Sequence, residues 1–122
     1  MQPLSGFRVV DLADEKGELC GRLLADLGAE GIRIEPPGGA LSRSLPPFAP
    51  DGKTSLYFGY RNAGKRSRVL DLEGESGRSE FEALLAQADI LVESSHPGTL
   101  ARLGLAPAEL MKRHPHLVIT SI

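Results

Sequence analysis

Basic side chains cluster in one short segment of the chain, where they could bind an anion. The segment supplies one lysine and three arginines, which are Arg61, Lys65, Arg66 and Arg68. Lysine presents a point charge to a phosphate, whereas arginine can donate two parallel hydrogen bonds to it. No aromatic side chain is interleaved with the basic ones. On these residues alone, a solvated basic turn is the simpler interpretation.

A second candidate lies between the most apolar run of the sequence and a predicted helix. It is the loop Ser94-Ser95-His96, followed by Pro97 and Gly98. Hydroxyl groups and free backbone donors before a helix can hold an anion. The intrinsic pKa of His96 suits a general base, but no acid or nucleophile stands at a recognisable spacing from it. An ordinary loop histidine is therefore the simpler interpretation of His96.

The patterns around the other reactive side chains indicate structural roles more than catalysis or metal binding. His114 and His116 flank a proline without a cysteine or carboxylate cluster, so no metal site is predicted. Cys20 falls on the apolar stripe of a predicted helix, which is typical of a small buried side chain. The first predicted strand is followed by neither glycine signature of a dinucleotide or P-loop site, which disfavours both cofactor classes.

Strands and helices that alternate along the chain would position these groups. The pattern predicts strands at 7–12, 31–35, 68–72, 90–92 and 117–122, and helices near 18–27, 55–60, 81–88, 99–103 and 107–113. This alternation predicts one α/β, Rossmann-like domain over residues 1–122, with a mostly parallel sheet and helices on both faces. Ligands bind such sheets beyond the carboxyl ends of the strands, here at loops 13–18, 36–52, 73–77 and 94–99.

Composition excludes several classes of function. The net charge of −2 argues against a nucleic-acid-binding module, which usually carries a basic excess. The apolar runs are far shorter than the ~20 residues that a membrane-spanning helix needs. A single cysteine allows no intramolecular disulfide, so we expect a reducing, cytoplasmic setting.

Several separated phrases of the chain resemble one enzyme family, the class III CoA-transferases, which also includes alpha-methylacyl-CoA racemase. In chain order, the phrases are Leu23-Leu24-Ala25-Asp26-Leu27-Gly28-Ala29-Glu30-Gly31-Ile32-Arg33-Ile34-Glu35-Pro36-Pro37-Gly38-Gly39, Gly64-Lys65-Arg66-Ser67-Arg68-Val69-Leu70-Asp71-Leu72, Asp89-Ile90-Leu91-Val92-Glu93, His96-Pro97-Gly98, Arg102-Leu103-Gly104-Leu105 and Ile119-Thr120-Ser121-Ile122. Because they occur in the family's order at nearly its spacing, the resemblance covers almost the whole chain.

The resemblance implies a site for coenzyme A, the carrier of the acyl group. Arg102 matches a family arginine near the CoA phosphates, and Leu70 matches an apolar contact near the adenine. Ser94, Ser95 and His96 occupy a family loop at the site with altered side chains, and Lys65 and Arg66 lie in the basic run described above.

The resemblance also implies a reaction between an acyl-CoA and a carboxylic acid. In the family, an aspartate takes the acyl group as a mixed anhydride, whereas racemases move the proton alpha to the thioester. We expect that aspartate beyond Ile122, so the isolated chain should lack turnover. Family members are typically interlocked homodimers, and we expect this of the longer parent enzyme. No metal is implied.

Three departures from the family pattern affect the expected site. Glu73 stands where a lysine is frequent, Lys16-Gly17-Glu18 replaces a small Ala-Gly-Pro turn, and Pro36 stands where some transferases have an arginine. They support an alternative in which the domain is a degenerate, noncatalytic copy with an interaction or scaffold role. A generic nucleotide-binding α/β module is disfavoured because both glycine signatures are absent.

Overall fold

A five-stranded parallel sheet forms the centre of the chain in a computed structural model that describes residues 2–122. The strands are β1 (Arg8–Leu12), β2 (Glu30–Glu35), β3 (Lys65–Val69), β4 (Ile90–Glu93) and β5 (Val118–Ser121), in the spatial order β3-β2-β1-β4-β5. The helices are α1 (Glu18–Asp26), α2 (Leu56–Arg61), α3 (Glu75–Ala86), α4 (Thr99–Arg102) and α5 (Pro107–Arg113), with a 3-10 turn at Leu41–Ser44. The predicted α/β, Rossmann-like class is confirmed.

The main core lies on one face of this sheet. Val10 and Leu91 point from the two central strands toward Phe81 of α3 and Leu110 of α5, and all four side chains are fully buried. Alternate strand residues face the opposite side, because side-chain direction reverses at every residue. There, Val9 and Val92 form a smaller cluster with α1, so helices cover both faces as predicted.

The apolar stripe predicted for α1 describes only part of the side that α1 turns to the sheet. Cys20 and Leu24 of that stripe pack against the cluster around Val9 and Val92. Leu23 and Leu27 are about half exposed, whereas Glu18 and Gly21 are buried. A Cβ atom on Gly21 would lie 2.2 Å from the carboxylate Oδ2 of Asp11, so the helix approaches the sheet where its residue is smallest. The prediction is wrong for Leu23 and Leu27, because α1 approaches the sheet most closely at Gly21, over the charged side chains of Asp11 and Lys65.

Strand β3 begins three residues earlier than predicted. Its register with β2 runs from the Gly31 and Lys65 pair to the Glu35 and Val69 pair. The predicted basic turn is therefore wrong at Lys65 and Arg66, which open the strand. Because β3 is an edge strand, most of its side chains are exposed. Its first residues therefore lack the apolar pattern from which strands are predicted.

The long loop after β2 is ordered by polar side chains. Ser55 accepts a hydrogen bond from the backbone of Phe58 and so caps α2. Its hydroxyl also donates to the Leu45 carbonyl at 2.6 Å. The loop over residues 36–52 is thereby tied to the helix that follows it. No helix within residues 2–122 has the length and apolarity that crossing a membrane requires.

Candidate functional site

Three neighbouring cavities follow the carboxyl ends of the strands. The first, of about 190 Å³, is lined by Leu12, Ile34, Pro36, Pro37, Leu70, Asp71, Leu72 and Glu73. The second, of about 390 Å³, shares Leu12, Ile34 and Pro36 with the first and reaches His96. The third, of about 370 Å³, also contains His96 and extends to Ser121. We call this continuous surface the carboxyl-edge groove.

Leu70 forms an apolar end of the groove. The residue is 5% exposed, follows β3 directly and packs into the main core. Its backbone N–H donates to the Glu35 carbonyl at 3.0 Å, which extends the pairing between β3 and β2 by one residue. The apolar wall at this end of the groove is therefore held by the sheet itself.

A buried network of charges lies beneath the middle of the groove. The Lys65 ammonium donates to the carboxylate of Asp11, to the Glu18 carbonyl at 2.8 Å and to Asn62 Oδ1 at 2.9 Å. Desolvation by burial lowers the pKa of Lys65, and the charge of Asp11 opposes that shift. The three N–H donors of the Lys65 ammonium thus have three acceptors, so all of its hydrogen bonds are formed.

Arg33 and Glu18 connect this network to the groove. Arg33 is 4% exposed and donates from Nη2 to Glu18 Oε2 at 3.1 Å. Ser42, from the loop after β2, donates to the same carboxylate oxygen at 2.6 Å. Since Arg33 and Ser42 both line the second cavity, the network orders its floor.

The loop after β4 is fixed to the loop after β1. Ser94 is buried, and its hydroxyl donates to Asp14 Oδ1 at 2.7 Å while it accepts from the Asp14 backbone at 2.8 Å. Desolvation raises the pKa of Asp14, but hydrogen bonds from Lys16 and Ser94 outweigh it and leave the pKa below its ordinary value. Ser94 therefore holds the loops after β1 and β4 together, and its predicted contact with a ligand stays a prediction.

Ser95 and His96 reach the groove itself. The backbone N–H of Ser95 donates to Glu93 Oε1 at 2.8 Å, and both residues line the third cavity. His96 is exposed and lines the second and third cavities, where they meet. The structure thus brings Leu70, Ser94, Ser95 and His96 to one edge of the sheet.

Arg102 also lies near this edge, at the end of α4. Its guanidinium donates two hydrogen bonds to the Glu73 carboxylate, at 2.8 and 3.1 Å. These bonds raise the pKa of Arg102 and lower that of Glu73. Glu73 lines the apolar cavity beside Leu70, so the ion pair stands at its rim.

Lys65 and Arg66 are separated from the other predicted site residues. Both begin β3, whereas Leu70 and Glu73 follow its end. Five strand residues span roughly 16 Å, at about 3.3 Å per residue. The Lys65 ammonium is also buried in the network, and the exposed Arg66 extends toward Glu30 at 3.9 Å. The structure therefore buries the Lys65 ammonium beneath the groove, away from its lining, and places Arg66 at the amino-terminal end of the strands.

The remaining reactive side chains serve the fold. His114 is 8% exposed, and its Nε2 lies 2.6 Å from Glu82 Oε2. Cys20 is half-buried rather than buried, and desolvation raises the pKa of its thiol. Among residues 2–122, no group of three or more His, Cys, Asp or Glu side chains is arranged to hold a metal ion.

Sequence reasoning missed the buried charges around the groove. Asp11 and Arg33 stand inside strands whose neighbours are apolar, and Glu35 ends the second of these strands. A charged residue within a buried strand must have a partner, because an unpaired buried charge is very costly. That rule was available from the sequence and would have identified all three as paired structural residues, though without their partners.

Comparison with known proteins places this geometry in a family. The model of CoA-transferase family III matches residues 4–122. The chain belongs to this family. The class III resemblance inferred from its motifs is therefore confirmed, and it covers nearly the whole chain.

Two curated members of the CoA-transferase family illustrate the similarity. A probable fatty acyl-CoA transferase of Mycobacterium tuberculosis, Rv3272, is 41% identical over 96% of this chain. The succinyl-CoA:(R)-benzylsuccinate CoA-transferase subunit BbsE of Thauera aromatica is 44% identical over 99% of it. In each case, the match covers 30% of the relative. The chain thus spans about a third of the length of these family members.

Solved structures agree with the parallel fold. The crystal structure of Rv3272 aligns over 99% of this chain with a TM-score of 0.89 and 38% identity, and the match covers 33% of that chain. A CAIB/BAIF family protein from Brucella suis aligns over 98% of this chain with a TM-score of 0.91 and 35% identity, again covering 33% of the solved chain. The sheet described above is thus the fold of CoA-transferase family III members.

Proposed function

We propose that this chain is the CoA-binding domain of a class III CoA-transferase, which moves CoA between an acyl-CoA and a carboxylic acid. The observation that supports this most is the continuous groove at the carboxyl edge, with an apolar cavity at Leu70 and Arg102 at its rim. CoA is elongated, with an adenine, several phosphates and a pantetheine arm. A long groove with an apolar end and a cation suits such a ligand.

Each part of the groove has a role in this proposal. Leu70 and its apolar neighbours contact the adenine, and Arg102 donates hydrogen bonds to a phosphate. The second cavity, over the buried network of Asp11, Lys65, Arg33 and Glu18, leads the ligand toward His96. Ser94 holds the walls of that passage together through Asp14.

The transfer step itself requires a residue beyond this chain in the proposal. An aspartate carboxylate of the parent enzyme attacks the acyl-CoA thioester, which forms an aspartyl-acyl mixed anhydride and releases the CoA thiolate. The acceptor carboxylate then displaces the donor acid from this anhydride, and the CoA thiolate attacks the acceptor acyl group, which frees the aspartate and leaves CoA on the acceptor. The relatives described above are named as transferases, which favours transfer over racemisation of an alpha-methylacyl-CoA. We propose that the parent works in the cytoplasm as an interlocked homodimer and uses neither a metal nor a nucleic acid.

A noncatalytic domain with an interaction or scaffold role is the second candidate. It is favoured by the ion pair between Glu73 and Arg102, because the Glu73 carboxylate occupies the bidentate face of the guanidinium that would bind a phosphate. The two candidates differ in whether CoA binds the groove at all.

Arg102→Ala is expected to weaken CoA binding about tenfold, because it removes charge-assisted hydrogen bonds to a phosphate. A thermal-shift titration of the chain with CoA, acetyl-CoA and adenosine measures this, since a ligand that binds only the folded state raises its stability. CoA should stabilise the chain more than adenosine does.

The matched control is Arg8→Ala, which removes an arginine paired with Glu30 at the amino-terminal end of the strands, opposite the groove. It should leave the shift caused by CoA unchanged. Equal shifts by CoA and adenosine, or no loss in Arg102→Ala, would contradict the proposed site. No shift at any CoA concentration would favour the noncatalytic domain.

A further inference from the structure

Glu73 pairs with Arg102 at the rim of the apolar cavity beside Leu70. The two side chains form a bidentate ion pair, and each is well over half exposed. Hydrogen bonds from Arg102 hold the pKa of Glu73 below its ordinary value, so the carboxylate is charged at neutral pH. Both donors that the guanidinium offers on this side are thereby occupied.

The backbone around Glu73 is fixed by its own loop. The N–H of Glu73 donates to Asp71 Oδ1 at 3.0 Å, and Arg78 donates to the carbonyls of Leu72 and Glu73 at 3.0 and 2.9 Å. A Cβ atom on Gly77 would lie 1.9 Å from the Asp71 carbonyl oxygen, so α3 packs directly on this loop. The Glu73 carboxylate is therefore held at the rim of the apolar cavity.

The lining of this cavity has an unfavourable charge for a phosphate. Asp71 and Glu73 contribute two carboxylates to it, and among the residues that the structure describes it contains neither lysine nor arginine. Phosphate oxygens would be repelled by Glu73 and attracted by Arg102. A phosphate that binds the bidentate face of Arg102 now paired with Glu73 must first displace the Glu73 carboxylate.

We propose that Glu73 sets the affinity and specificity of the site by competing with a ligand phosphate for the guanidinium of Arg102. This proposal rests on the proposed function, since it takes CoA as the ligand of the groove. A phosphate that displaces Glu73 still gains the charge of Arg102, but the displacement costs part of that gain. The chain therefore binds phosphate-bearing ligands more tightly than adenosine, yet less tightly than it would with Arg102 unpaired.

The expected size of the effect follows from the exposure of the pair. An exposed ion pair contributes at most about 1 kcal/mol, and removal of the carboxylate also relieves repulsion of the phosphate. Glu73→Gln is therefore expected to tighten CoA binding about threefold to tenfold. The amide cannot form the same charged pair, so Arg102 becomes available.

Isothermal titration with CoA tests this on the wild type, Glu73→Gln, Arg102→Gln and the double variant. Glu75→Gln is the matched control, because Glu75 is exposed, lies two residues away and forms no salt bridge within residues 2–122. We expect Glu73→Gln to bind more tightly, Glu75→Gln to match the wild type within about twofold, and the double variant to match Arg102→Gln.

The same titrations with 3′-dephospho-CoA identify the phosphate involved. If Glu73→Gln binds 3′-dephospho-CoA no more tightly than the wild type does, Arg102 lies at the 3′-phosphate of CoA. If Glu73→Gln still binds 3′-dephospho-CoA more tightly, Arg102 lies at the diphosphate. Both results support competition between Glu73 and a phosphate. If the wild type binds CoA and Glu73→Gln binds it equally tightly, the role of Glu73 is overturned and the proposed function is not. The same holds if Glu73→Gln tightens binding as much in the Arg102→Gln background as in the wild type. Failure of every variant to bind CoA would overturn the proposed function together with it.

Discussion

Asp11→Ala is expected to destabilise the fold by about 3–5 kcal/mol, the usual cost of removing one partner of a buried ion pair. Lys65 and Asp11 each have only 1% of their side chain exposed. Without the carboxylate, the Lys65 ammonium keeps its hydrogen bonds to uncharged oxygens of Glu18 and Asn62 but loses the carboxylate that it contacts directly. Urea denaturation measures the loss in free energy of unfolding.

The matched control is Asp26→Ala, which breaks the exposed pair with Arg22 at 3.2 Å. That change should cost no more than about 0.5 kcal/mol. The double variant Asp11→Leu with Lys65→Met should recover part of the loss, because it leaves no uncompensated charge. A cost below about 1 kcal/mol for Asp11→Ala would contradict the buried pair.

Glu35→Gln is expected to cost about 2–3 kcal/mol near neutral pH, and this cost should shrink in acid. The Glu35 side chain is 1% exposed and accepts hydrogen bonds from Arg43 at 2.6 and 2.8 Å, from the Ala40 backbone and from Ser67. Arg43 is the main cause that lowers the pKa of Glu35 from 4.5 to about 2. Its guanidinium is half exposed, so solvent screening reduces the contribution.

The pH dependence follows from the direction of this shift. A carboxyl whose pKa is lower in the folded state stabilises the fold fully above its unfolded pKa. That stabilisation is lost as the pH falls from 4.5 toward about 2, where the folded state also takes up the proton. Urea titrations of wild type and Glu35→Gln should therefore converge by more than half between about pH 6 and about pH 3.

Glu80→Gln is the control for this series, since Glu80 forms a pair with Arg68 in which both side chains are about half exposed. It should cost less than about 1 kcal/mol. A difference between wild type and Glu35→Gln that stays constant with pH would contradict the account of Glu35.

The fold was predictable because its signals are local. The apolar run Ile90-Leu91-Val92 predicted β4, and the spacing of Phe81 and Leu85 predicted the buried side of α3. Alternation of such segments implied a parallel sheet, and a parallel sheet places its loops at one edge. The position of Leu70 and the Ser94 loop at a common edge follows from the same argument.

The missed features depend on partners far away in the sequence. Lys65 resembles a surface residue until Asp11, 54 positions earlier, is known to lie beside it. Arg102 looks like a free cation until Glu73, 29 positions earlier, is found to hold it. The predicted stripe of α1 also missed Gly21, because glycine carries no apolar signal although this residue makes the closest approach to the sheet.

The central claim is that CoA binds the carboxyl-edge groove, and an amide chemical-shift map of the chain titrated with CoA tests it most directly. The account predicts that the largest shifts fall in residues 70–73, 14–16 and 94–96, with Lys65 and Arg66 little changed. The Arg102→Ala variant should need more CoA to reach the same shifts. Shifts centred on Lys65, Arg66 and Glu30 at the opposite edge, or no shifts at all, would contradict the account.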